Sequence, residues 1–79
     1  MMAGRKKTVS DSEILSLFAE STDPVLGTAE VAETLDFSIQ GARQRLYDIS
    51  DKGHLDFKKI GGSPAFWLTP EGEEALTEG

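Results

Sequence analysis

Apolar residues along this chain change their period twice, and the changes mark its elements. Ile14, Leu15, Leu17 and Phe18 recur at helical spacing, and the pattern stops at Ser21-Thr22-Asp23-Pro24, where proline disfavours helix in the residue before it. The start of that helix is signalled by Ser10-Asp11-Ser12-Glu13, a serine cap with glutamate three residues on, and Val9 and Ile14 can close a hydrophobic staple across it. Val25-Leu26 reads as a short extended piece, able to pair with one edge of a later hairpin. Thr28 is the expected cap of a second helix from Ala29 to about Leu35, with Val31, Ala32 and Leu35 on one face. Asp36-Phe37-Ser38 breaks that pattern, and Ser38 caps a third helix from Ile39 to about Asp51.

The third helix has two unlike faces. At roughly 100° per residue, Ile39, Ala42, Leu46 and Ile49 form the expected core stripe, Gln40, Gln44, Tyr47 and Asp48 lie opposite, and Arg43 and Arg45 stand at the borders. Glutamine can pair with adenine, arginine with guanine or a phosphate, and the free amides of a helix N-terminus favour phosphate. Gly41 costs about 1 kcal/mol in a helix interior relative to alanine, so its place in the first turn implies either a close approach by DNA or packing against the preceding helix. Lys52-Gly53 ends the helix.

Beyond His54 the period becomes that of a strand. Leu55-Asp56-Phe57-Lys58-Lys59 alternates with Leu55 and Phe57 inward, Gly61 to Pro64 reads as a loop, and Ala65 to Thr69 as the return strand. If Phe66 and Leu68 face the core, Trp67 faces out, to stack on a partner subunit, pack on the C-terminal segment or approach DNA. Thr69 and Pro70 cap and begin a short last helix through Leu76. Helix, short strand, helix, turn, recognition helix and two-stranded wing make an α+β winged helix-turn-helix. It fills residues 10–79, behind a flexible basic N-terminal arm over residues 1–9.

Charge sharpens the picture. The net charge of −6 and pI near 4.6 argue against a nucleic-acid partner, but the distribution argues for one. All eight basic residues are Arg5, Lys6 and Lys7 in the leading arm and Arg43, Arg45, Lys52, Lys58 and Lys59 between the third helix and the hairpin. Residues 8–37 hold seven acids and residues 60–79 hold four, with no Lys or Arg in either. Cysteine is absent, which excludes disulfides and thiolate metal sites, and a single histidine argues against an imidazole site, so no cofactor is expected. With no glycine-rich phosphate loop before a helix, an enzyme is the weakest class. No apolar run suits a membrane span or signal peptide, so the expected location is the cytoplasm.

The runs GTAEVAETLDFS, ARQRLYDISDKGHL and FWLTPEG resemble the small winged-helix regulators of the MarR and ArsR type, and in particular the short, acidic halophage-repressor-like proteins of salt-accumulating archaea. That resemblance covers roughly residues 10–76. It implies that Ser38, Gln40, Gly41, Arg43 and Gln44 enter or border the major groove, and that Lys58, Lys59 and the loop at Gly62 and Ser63 form a wing against flanking phosphate or minor groove. Thr28, Arg45 and Tyr47 complete the expected DNA-binding set, and Trp67 is the candidate dimer contact. The long dimerisation helices of the MarR type and a wing-tip arginine are both missing from the pattern.

The implied function is a sequence-specific regulator, a repressor by the simplest route, binding double-stranded DNA as a homodimer with no small-molecule effector evident. A winged-helix protein-interaction module is the alternative, favoured by Asp48, Asp51 and an outward Trp67. Acidity of this kind suits molar intracellular salt, where hydrated carboxylates keep a protein soluble and phosphate contacts contribute less. Unfolding at low salt would support a halophilic protein, and equal stability with and without salt would contradict it.

Overall fold

A computed structural model describes residues 9–78. Its elements are α1 (Asp11–Glu20), β1 (Val25–Gly27), α2 (Thr28–Leu35), α3 (Ile39–Asp51), β2 (Leu55–Ile60), β3 (Ser63–Leu68) and α4 (Pro70–Glu78). The strands form one antiparallel sheet in the order β1-β3-β2. This is the α+β winged-helix architecture, with β1 adding a third strand to the two of the wing.

The first helix starts where its sequence signal places it. Ser10 Oγ accepts from the Glu13 amide at 3.2 Å, and Glu13 Oε1 accepts from the Ser10 amide at 3.1 Å, so two otherwise orphaned donors are satisfied reciprocally. Val9 is buried in the same core as Ile14, which draws the last residue of the expected arm into the domain; residues 1–8 of that arm lie outside the described residues.

The second helix is capped differently from expectation. Gly27 is still in extended backbone, paired with Ala65 in the sheet, and serves as N-cap. Its amide donates to Glu30 Oε1 at 2.9 Å, so a side chain three residues on satisfies the N-cap amide, while no side chain makes the bond to the first-turn amides expected of Thr28. Thr28 is instead the first helical residue, 6% exposed, its hydroxyl oxygen buried without a partner. Asp36 ends the helix in the left-handed region at φ 61°, a conformation that Asp tolerates better than most residues.

Ala42, Leu46 and Ile49 of α3 are fully buried against Ile14, Val31, Leu55 and Phe66 in one core. Ile39 departs from the predicted stripe and is 52% exposed. It begins the first turn, where Ser38, Gln40 and Gly41 are exposed as well, and that turn projects past the edge of the core beneath. On the hairpin, Tyr47 meets Phe57 and Phe66 edge-on with ring centroids 5.0 and 5.5 Å away, a preferred arrangement of aromatic quadrupoles that ties α3 to the sheet.

The wing is tighter than the expected four-residue loop. Strand pairing runs on to Ile60 opposite Ser63, leaving only Gly61 and Gly62 in the turn, with φ of +58° and +90°. Two consecutive left-handed residues suit the twist of a two-residue hairpin, and glycine adopts them without a Cβ penalty. Pro64 lies within β3 opposite Lys59, beyond the last pair that β1 makes at Ala65, so no β1 partner is left facing its missing amide.

Candidate nucleic-acid interface

Ser38 positions the first turn of α3: its Oγ accepts from the Gly41 amide at 3.0 Å. A Cβ at Gly41 would come within 3.1 Å of that hydroxyl oxygen and meet nothing else within 4 Å. The glycine thus does not pack on the preceding helix; it leaves the cap uncrowded and the outer surface low. Phe37, Ser38, Gly41, Gln44 and Arg45 line a shallow concavity of about 350 Å³ over it.

Gln40, Arg43 and Gln44 are all exposed on the first half of α3. Among the described residues Arg43 makes no ion pair. Gln44 Nε2 donates to Asp48 Oδ1 at 3.3 Å, a weak i to i+4 contact that leaves its carbonyl oxygen outward for another donor. Tyr47 is half-buried and occupied by its aromatic neighbours.

Arg45 is placed otherwise than the sequence suggests. Its guanidinium bonds Asp11 Oδ1 at 2.8 Å, while Lys52 reaches Asp11 Oδ2 at 2.5 Å. One carboxylate at the start of α1 therefore holds two of the cations expected to face DNA and clamps α1 to α3. Lys52 and then Arg45, by hydrogen bonding to the carboxylate, hold the Asp11 carboxyl below its ordinary value of 3.8. A lowered folded value means that Asp11 contributes stability above the ordinary carboxylate range, and that the contribution is lost as pH falls through the lowered value. Asp11→Asn is expected to lower stability by about 0.5–1 kcal/mol at neutral pH, as for partly exposed pairs. Thermal midpoints measured from pH 7 to pH 2 should show the variant and the parent converging in acid; a constant gap would contradict the clamp.

Register separates the two wing lysines. Lys59 shares a sheet face with Phe57 and Phe66, which carry Tyr47 of α3, whereas Lys58 shares the other with Asp56 and Trp67. Lys59→Ala is accordingly expected to weaken duplex binding and to reduce the salt slope by about one, Lys58→Ala much less. Titrations at several salt concentrations check this, and equal losses would sink the assignment. Gly62 and Ser63 are exposed at the wing tip, whereas Thr28 is buried and has no side-chain surface to offer.

Trp67 is half-buried between Val25 and Asp56 on the sheet face opposite Phe66, so it points away from α3. It borders a hollow of about 390 Å³ shared with Phe18 and Ala19 of α1, Val25, and Glu73 of α4. Two features of this face differ from what the sequence implies: the Asp11 clamp, which joins residues far apart in the chain, and the exposure of Ile39. A signal for the second was available, because Ile39 lies about 60° off the centre of the buried stripe in the helix's first turn.

No helix among the described residues is long and apolar enough to cross a membrane, and no three of them with His, Cys, Asp or Glu side chains gather as a metal site. No protein-family model matches the chain, and neither does any curated protein sequence. Among solved structures, the fold is similar to that of the AntR antimony-specific transcriptional repressor, with a TM-score of 0.66 over 87% of this chain at 16% sequence identity. The chain spans 62% of that repressor's length, and what the two share at this identity is the winged-helix fold.

Proposed function

We propose that this chain is a sequence-specific transcriptional regulator that binds double-stranded DNA, laying the first two turns of α3 in the major groove and its wing along flanking phosphate or minor groove. The observation that carries this reading is the division of α3. The outer face of its first half offers Gln40, Arg43 and Gln44 and no carboxylate, while Asp48 and Asp51 stand on the second half. Phosphates attract the first half and repel the second, so the helix enters by its N-terminal end, the usual geometry of a recognition helix.

Arg43 supplies a planar fork for guanine or phosphate, and the two glutamines supply amides for adenine. Repression by occluding a promoter is the simplest output. A homodimer on a two-fold site is the expected assembly, with Trp67 and Val25 on the outer sheet face as its contact. The repressor of similar fold supports the class of function. Its antimony specificity is a property of that protein, and a chain without cysteine offers a soft metalloid no thiolate. The resemblance to small acidic haloarchaeal repressor-like proteins supports a cytoplasm rich in salt as the setting, with base contacts carrying more of the affinity than phosphate contacts.

Selection from a pool of random duplexes in about 1–2 M KCl, where non-specific phosphate attraction is suppressed, tests the reading. Enrichment of a two-fold motif is expected, and its half-site spacing reports the dimer. Absence of enrichment by a folded chain would favour the second reading, a protein-interaction module. Asp48 and Asp51 on the same helix and the half-buried Trp67 on the opposite side of the sheet are the features that favour it.

A further inference from the structure

Among the described residues, Ile39 is the one large aliphatic side chain of α3 that the core leaves exposed. It stands one turn before Arg43, on the same side of the helix. Together with Ala29, Ser63 and Pro64 the pair borders a hollow of about 280 Å³ where the starts of α2 and α3 meet the wing. The residues lining that hollow include one cation and no carboxylate. An occupant must therefore be apolar where it meets Ile39 and rich in acceptors or negative charge around Arg43.

Duplex DNA meets both demands over a few ångströms. Along the major groove, acceptor edges and phosphates surround a single kind of apolar feature, the methyl group on C5 of thymine. A purely aliphatic occupant would satisfy Ile39 but leave Arg43 without a counter-charge or acceptor. We infer that Ile39 reads the 5-methyl group of a pyrimidine beside the base or phosphate held by Arg43, which makes the methyl group itself a determinant of sequence preference. This rests on the DNA-binding reading above. The methyl group has two sources, thymine and 5-methylcytosine, that present the same chemistry.

The test uses the full chain and the duplex it selects. Each thymine is replaced in turn by deoxyuridine, which removes the methyl group and keeps every hydrogen-bonding edge; each cytosine is replaced in turn by 5-methylcytosine. Removing one buried methyl group is expected to weaken binding about three- to fivefold at a single position, or adding one to strengthen it by as much. In Ile39→Ala that ratio should fall to one, while Arg43→Ala lowers affinity overall and keeps it. Ile39 is exposed, so its replacement should leave the circular dichroism spectrum unchanged. A duplex bound tightly with no methyl-sensitive position, or with a sensitivity that persists in Ile39→Ala, would overturn this inference and leave DNA binding standing. A folded chain that binds no duplex would overturn both.

Discussion

Gly72→Ala is expected to destabilise the domain by at least about 2–3 kcal/mol, the range of severe overpacking. A Cβ at Gly72 would lie 2.1 Å from the His54 carbonyl oxygen and 2.8 Å from Leu68 Cδ1. The backbone atom cannot swing aside as a side-chain tip can, and it is already engaged, accepting from the Thr69 amide at 3.2 Å. Thr69 Oγ1 fixes the same corner, donating to the Gly53 carbonyl at 2.6 Å and accepting from the Gly72 amide at 3.0 Å. Relief requires α4 to lift from the start of β2, which breaks these bonds together. A domain of this size holds about 4–12 kcal/mol in total, so the loss is a large share of it. Urea unfolding should show a clearly lower midpoint for Gly72→Ala and almost none of that change for the exposed neighbour Glu74→Ala. An unchanged midpoint would contradict the close approach.

The second large effect concerns binding. Arg43→Ala with Gln44→Ala is expected to lower affinity for a selected duplex about thirtyfold or more, from about 1–3 kcal/mol for each lost bidentate contact. Both residues are exposed, and the Asp48 contact that Gln44 gives up is long and solvated, so the unfolding free energy should stay within about 0.5 kcal/mol of the parent. Direct titration of the double variant against the parent separates the two functional readings. Loss of binding with the fold intact is expected of a DNA reader; unchanged binding would point to the protein-interaction module.

Much of this fold was legible in the residues because local signals agreed with one another. The Ser10–Glu13 capping box, the Ser38 cap and the switch from helical to alternating period after His54 placed α1, α3 and the hairpin near their observed bounds. The misplaced features depend on what lies elsewhere in the chain. Thr28 is a good cap by composition, but pairing with β3 keeps Gly27 extended and moves the helix start back by one residue. Ile39 fits the apolar stripe on a helical wheel, yet the wheel does not know where the core beneath the helix ends. Arg45 sits at the border of the face expected to meet DNA, and only the approach of Asp11, thirty-four positions away, shows that its charge is paired within the chain. Gly72 gave no warning at all, since its reason is a carbonyl on another element.

The sheet has two open edges, because β3 lies in the middle with β1 and β2 outside it. Open edges invite pairing with another chain, and proteins guard them with short strands, proline or lysine. Here β1 is three residues long and follows Pro24, while β2 carries Lys58 and Lys59 toward its exposed Ile60 end. Lys58 and Lys59 thus sit on an open edge where charge disfavours pairing with another chain. Lys58, on the sheet face turned away from α3, is the one whose removal is expected to cost solubility with little change in duplex binding.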